Sequence, residues 1–303
     1  MWGGDKLKTV YDYDIPSEQT GEAWVISAHP NGPSKIQNGP LKGHTLADAW
    51  DSYGELFNKS ADNNEAYPLL VKILDANDDL SVQVHPDDAF AREIEGVPYG
   101  KTECWYILDA DPGAELILGH HAETKQELEQ MMADSEWDKL LRHVKVQPGD
   151  FVYVPSGTIH AIGGGIVLLE TQQSSDTTYR VYDYNRTDAD GNKRELHLKK
   201  AAAVTNVPHQ IPELNQEEAV SGDLTITKLV VNNYFGVSHW VLNGRVEQLM
   251  KSDFLQVSVI AGQAVLTVGD KQFEIEKGMH FILPHGTGKY EFSGEAEFVV
   301  SWV

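Results

Sequence analysis

A chain of 303 residues with 41% hydrophobic content has enough apolar material for one large domain or two small ones. Its formal net charge of −22 argues against a nucleic-acid partner or an anionic membrane surface, so an anionic ligand must be met by local basic residues. The single cysteine, Cys104, rules out an internal disulfide, and no apolar run approaches the ~18 residues of a membrane-spanning helix. Met1 to Asp5 lacks the charged and apolar regions of a signal peptide, so a cytoplasmic protein in a reducing compartment is expected.

Gly21–Ser27 and Tyr67–Leu74 read as the first strands. Lys72 lies in an otherwise apolar run, in phase with Leu70 and Leu74, where a lysine either pairs a buried carboxylate or reaches into a pocket for an anion. The parity that also puts Lys101 and Glu103 on one face favours the pocket. Ser81 to His85 alternates, so Ser81, Gln83 and His85 share one strand face while Val82 and Val84 face the core. Side chains at i and i+2 are roughly 6.5–7 Å apart along a strand and can converge on one ion about 2 Å from each. Taken alone, Gln83 and His85 equally describe a satisfied polar pair.

Glu103 opens the next strand, Cys104–Leu108, with Cys104 turned away into the core; Ala114–Leu118 follows. Thr124-Lys125-Gln126-Glu127 has the form of a capping box, opening a helix with Leu128, Met131 and Met132 on one face, and a second turn is expected near Trp137 to Leu141. Gly149 to His160 has the form Gly-x5-Pro-x-Gly-x2-His, a strand followed by a Pro-Gly turn that delivers a His to the start of the next strand. This resembles the second motif of the cupin superfamily, whose His joins ligands from a first motif of His-x-His followed by Glu. Gln83-x-His85 followed by Glu103 resembles a modified first motif, and the two halves together favour a metal site over a polar pair.

Ile166–Thr171 is a further strand, and Arg180 lies beyond a mixed polar stretch, as a partner for an Asp such as Asp183 or as a fixed cation over a substrate. Ala261-Gly262 and its following strand then echo Pro112-Gly113, and Gly278-x5-Pro284-x-Gly286 repeats the form of Gly149 to Gly157. Two copies of one β-unit predict a mainly β chain of two cupin jelly-roll barrels with small helical inserts. A catalytic, metal-binding barrel is expected over 1–207 and a metal-free one over 222–303, joined through Pro208 to Ser221. In the second copy the position of His160 is held by Lys289, whose ammonium has no lone pair for a metal, so one ion per chain is expected.

Trp2-Gly3-Gly4, Gly21-Glu22-Ala23-Trp24, Leu80 to Pro86, Lys101-Thr102-Glu103, Val154 to Ala161 and Ser175 to Asp183, taken together and in order, resemble the type I mannose-6-phosphate isomerases in their short bacterial form. The resemblance implies interconversion of mannose 6-phosphate and fructose 6-phosphate on one zinc per chain, held by Gln83, His85, Glu103 and His160. It implies that Arg180 is catalytic and that Lys72, Ser81, Lys101 and Arg180 line the pocket of a phosphorylated hexose. Gly100 departs from long-form relatives, which have a His before the Lys, so a ring-opening role for that His has no counterpart here. The base is left open among Lys101 with its pKa depressed by the metal and Arg180, Glu22, and a metal-bound water. Two other readings compete: an iron-dependent cupin oxygenase, which gives no reason for three cations to converge, and a non-catalytic sugar-phosphate-binding cupin.

Overall fold

The computed structural model describes residues 2–188 and 190–303. In chain order its first strands are β1 (Glu22–Ser27), β2 (Leu69–Ala76), β3 (Val82–Val84), β4 (Glu103–Ala110), β5 (Glu115–His120), β6 (Leu141–Lys145), β7 (Phe151–Val154), β8 (His160–Ile162), β9 (Ile166–Gln173) and β10 (Tyr179–Tyr182). They form two five-stranded sheets, ordered β1-β2-β9-β4-β7 and β10-β3-β8-β5-β6. Trp105, Ile107, Val154, Ile166 and Leu168 from the first sheet pack with Leu116 and Ile162 from the second, so the sheets face each other across an apolar core. The other face of the second sheet, with Val82, Val84, Ala161 and Val181, is covered by Leu128, Met132, Leu140 and Ala201 from the helical inserts. The alternation of β3 therefore sends its valines to the helices and Gln83 toward the first sheet.

The expected helix forms over Lys125–Ala133, and Thr124 Oγ1 accepts from the Glu127 amide at 3.1 Å. The reciprocal arm reaches one residue further back: Glu127 Oε2 accepts from the Glu123 amide at 2.8 Å. The longest of the helices not anticipated are Leu46–Ser52 and Leu198–Val204. The first carries a complete capping box between Thr45 and Asp48, a signal present in the sequence.

The remaining strands are β11 (Glu217–Ser221), β12 (Leu224–Val231), β13 (Gly236–Leu249), β14 (Leu255–Val268), β15 (Lys271–Glu276), β16 (His280–Leu283) and β17 (Lys289–Trp302). They form one sheet ordered β11-β12-β13-β17-β14-β15, with β16 pairing β14, wrapped around Val257, Leu266, Phe292, Phe298 and Val300. Residues 217–221, expected within a connection, instead form an exposed edge strand whose Glu217 pairs with Lys228 at 2.9 Å. The repeated turns agree in backbone conformation. Gly149 and Gly278 have φ of 90° and 91°, and Gly157 and Gly286 have 82° and 77°, values that only glycine adopts without strain.

The chain divides into two compact units, one comprising the residues up to Ala23 with Lys72–Glu213, the other Trp24–Val71 with Leu214–Val303. Residues 24–71 thus cluster with the C-terminal strands, whereas the sequence grouped them with the first barrel. Within the second unit an aromatic group explains this: Phe57 and Tyr67 lie 5.3 and 5.7 Å from the Phe254 ring, and Trp50 lies 5.2 Å from Tyr67. Tyr67 Oη also donates to Gln256 Oε1 at 2.9 Å. Among the described residues no helix is long and apolar enough to cross a membrane.

Candidate metal centre

Two rows of side chains face each other in the first unit. Across the second sheet, Arg180 in β10 pairs with Gln83 in β3, and Gln83 pairs with His160 at the start of β8. His85 follows two residues after Gln83, just beyond the end of β3. Across the first sheet runs a row of alternating charge: Glu22 from β1, Lys72 from β2, Glu170 from β9, then Lys101 and Glu103 at the start of β4.

His85, Glu103 and His160 offer ligand atoms that all lie within 4.8 Å of one another and could hold a metal ion. His85 Nδ1 lies 2.9 Å from the Thr177 carbonyl and His160 Nδ1 2.9 Å from the Thr158 carbonyl. With those nitrogens donating, each Nε2 carries its lone pair toward Glu103, at 3.2 Å from Oε1 for His160 and 3.6 Å from Oε2 for His85. Burial, with the Lys101 charge adding to it, pushes the His85 pKa well below its ordinary value. Burial likewise brings His160 down to about 4. Both rings are therefore neutral, as metal ligation requires. Glu103 Oε1 and His160 Nε2 are buried with no hydrogen-bond partner, an arrangement that is costly unless a cation completes it. The residues thus fit a divalent ion. Two imidazoles and a carboxylate suit Zn, Mn, Co or Fe alike.

Lys101 Nζ lies 2.8 Å from Glu103 Oε2 and 3.7 Å from Glu170 Oε1, and donates to His85 Nε2 at 3.2 Å. Burial opposes its charge, but Glu103 and, after it, Glu170 outweigh burial and raise its pKa. Lys72 Nζ sits 3.2 Å from Glu22 Oε2 and 3.7 Å from Glu170 Oε1, so in this arrangement it has buried-carboxylate company. Glu170, which sequence reading passed over, is held by the Trp105 indole N–H at 3.1 Å and placed between the two lysines. Its signal was available: an acid in the apolar run Ile166-Val167-Leu168-Leu169 demands a partner as much as Lys72 does.

Arg180 is not the hydrogen-bond partner of Asp183, which is held instead by Arg186 and Arg194. One Arg180 Nη1–H donates to the Glu195 carbonyl at 2.9 Å, and its Nε is buried without a partner. Ser81 is buried immediately before β3. At Gly100 a Cβ would stand 2.4 Å from the Asp87 carbonyl carbon and 2.5 Å from the Pro86 oxygen, so no side chain fits there. The long-form His is therefore excluded sterically from this backbone path.

Residues 1–103 match the family model described as phosphomannose isomerase type I, catalytic domain, and residues 225–303 match that of the mannose-6-phosphate isomerase cupin domain. The mannose-6-phosphate isomerase ManA of Bacillus subtilis is 50% identical over 303 residues, covering 99% of this chain and 95% of that protein. The mannose-6-phosphate isomerase of Streptococcus mutans is 50% identical over 301 residues, covering 99% and 94%. A crystal structure of the mannose 6-phosphate isomerase from Bacillus subtilis superposes with a TM-score of 0.95 at 46% identity, over 100% of this chain and 96% of that one. The apo form of the Salmonella typhimurium enzyme shares the fold at 19% identity and a TM-score of 0.77, over 99% of this chain and 95% of that one. Likeness of this degree along almost the whole of both chains makes this chain a member of the type I mannose-6-phosphate isomerase family.

Proposed function

We propose that the chain interconverts mannose 6-phosphate and fructose 6-phosphate in the cytoplasm, on one zinc ion held by Gln83, His85, Glu103 and His160. The observation that carries this reading is the buried, unpartnered pair Glu103 Oε1 and His160 Nε2, 3.2 Å apart, beside the ammonium of Lys101. Full-length identity of 50% to two mannose-6-phosphate isomerases supports the same substrate.

The reaction moves a proton between C2 and C1 while negative charge develops on the sugar oxygens. When bound, a divalent ion supplies Lewis-acid stabilisation of that charge. Lys101, held between Glu103 and Glu170, donates to a sugar oxygen. Arg180, across β3 from His160, contributes a fixed positive charge and a free Nε–H. Lys72 and Ser81 line the sugar-phosphate pocket, with Lys72 exchanging carboxylate contacts for the substrate. The carbon-bound proton then falls to one of the two carboxylates flanking Lys72, Glu22 or Glu170. A coupled isomerase assay on mannose 6-phosphate tests this reading. Stripping the metal with chelator abolishes turnover and zinc restores it, whereas undiminished turnover by metal-free protein overturns it.

A further inference from the structure

Lys101 and Glu103 carry much of the chemistry, yet the segment that presents them lies at the end of the β-ladder. The register of β4 with β9 begins at Glu103, opposite Gln172. Before it, the amides of Gly100, Lys101 and Thr102 are each fixed by a separate acceptor. Lys101 N–H donates to the Pro86 carbonyl at 3.0 Å. Thr102 N–H donates to Gln173 Oε1 at 2.9 Å, and Gly100 N–H to Asp88 Oδ1 at 2.8 Å. The same Asp88 oxygen accepts from Gln173 Nε2 at 2.8 Å, so one side-chain amide joins both anchors.

Gln173 also donates its own backbone N–H to the Thr102 carbonyl at 3.0 Å. Thr102 is thus gripped at both its N–H and its C=O by a single residue, and it is the residue between Lys101 and Glu103. Its hydroxyl in turn accepts from Ser156 N–H at 3.2 Å, in the turn that leads to His160. Gln173 and Thr102 are buried, at 3% and 1% exposed, where a lost hydrogen-bond partner is not replaced by water.

We infer that Gln173, braced by Asp88, is a positioning residue for the metal centre: it sets the backbone from which Lys101 and Glu103 project. The Gln173 side chain hydrogen-bonds to Thr102 and Asp88 and to neither the Lys101 nor the Glu103 side chain. It acts where the ladder stops and where Gly100 leaves no side chain to pack. This inference rests on the proposed zinc-dependent isomerisation, and the two can fail separately.

The sharpest substitution is Gln173→Glu, which keeps side-chain length and an acceptor for Thr102 but turns the donor facing Asp88 into a second carboxylate. Zinc affinity, read by competition with a chromogenic chelator, is expected to weaken by about 10- to 100-fold, the range typical of groups that orient metal ligands. At saturating zinc, kcat should fall over a similar range while KM for mannose 6-phosphate stays within about twofold, since the phosphate contacts do not run through Gln173. Asp88→Ala at the half-buried rim should move both quantities the same way by about tenfold, and it carries the test if Gln173→Glu does not fold. Wild-type zinc affinity and kcat in the folded variants, or a loss confined to melting temperature, overturns the positioning role. A wild-type protein that neither binds zinc nor isomerises overturns the reading beneath it.

Discussion

The two barrels run the same turn through the same register and put opposite chemistry on it. Val154 and Leu283 each precede the proline of the repeated turn, and they pair with Glu103 and Leu255 respectively. Two residues further on, Trp105 pairs with Glu170 in one unit, and Val257 pairs with Val300 in the other. The places of the two buried carboxylates are therefore filled in the second unit by Leu255 and Val300, both in its apolar core. His160 opens β8 and Lys289 opens β17, but Lys289 is exposed and paired with Glu247 at 2.7 Å. The Gly-Pro-Gly backbone delivers positions, and what is buried at those positions decides whether they stabilise or react. Hydrocarbon there contributes roughly 25 cal/mol per Å² removed from water. Buried Lys72, Lys101, Glu103 and Glu170 are instead tolerable only through one another, and such pairing is weak evidence for stability. The first barrel gives up that apolar contribution for a reactive site.

The largest effect comes from giving the first barrel the second barrel's residue. Glu103→Leu removes a carboxylate of the candidate metal centre and a partner of Lys101 together. Turnover should drop by about 10³-fold or more, since Lewis-acid stabilisation is worth several kcal/mol and each 1.36 kcal/mol is a factor of ten. Metal analysis should find the zinc lost. A variant that keeps one tightly bound zinc and wild-type kcat breaks the contrast between the barrels at its centre.

Smaller losses sort the groups around the ion. Glu22→Gln and Glu170→Gln differ from wild type by one oxygen each, and the base is the one whose loss lowers kcat by about 10²- to 10⁴-fold with zinc content unchanged. If neither reaches that range, the proton transfer does not use this row of carboxylates. On the proposed reading, in which the Arg180 guanidinium acts on charge that develops in the reaction, Arg180→Ala should cost about 10²-fold in kcat and leave zinc bound. Wild-type kcat in Arg180→Ala makes Arg180 a strap for the Glu195 carbonyl and nothing more.

How much of this was legible in the sequence follows from how local each signal is. His85 and His160 were readable because strand alternation and a Gly-Pro turn fix their direction within a few residues, and Glu103 joined them through the resemblance to the cupin first motif. Glu170 was missed because its role is set by neighbouring strands: β9 lies between β2 and β4, an order no local pattern records. That order is also why Lys72, read as open to a pocket, meets carboxylates. The grouping of residues 24–71 was equally hidden, since Trp50, Phe57 and Tyr67 find Phe254 far along the chain, and Tyr67 bonds to Gln256 189 residues away. The Lys101 pKa is raised first by Glu103, its neighbour on the same strand face, and then by Glu170, and only the second of these contributions was out of reach for the same reason.

The smallest expected effect tests the comparison from the other side. Lys289→His restores to the second barrel the residue type that opens β8 in the first, on a turn whose glycines already match in φ. If the turn alone made a metal site, this one substitution would begin to build one. It should not, because the carboxylate position is occupied by buried Leu255, and Lys289 itself lies at the surface beside Glu247 rather than in the core. His280, one of the two histidines of the repeat, is already engaged through Nδ1 with Ser258 Oγ at 2.8 Å. An exposed imidazole with a single exposed carboxylate beside it gains little affinity for zinc, and the surface ion pair lost with Lys289 is worth little. Zinc content should stay at one per chain, isomerase activity should be unchanged, and the melting temperature should move by no more than about 2 °C. A second tightly bound zinc in Lys289→His, seen by metal analysis and lost again on adding His280→Ala, would mean that the turn and not the buried carboxylate is what distinguishes the two barrels.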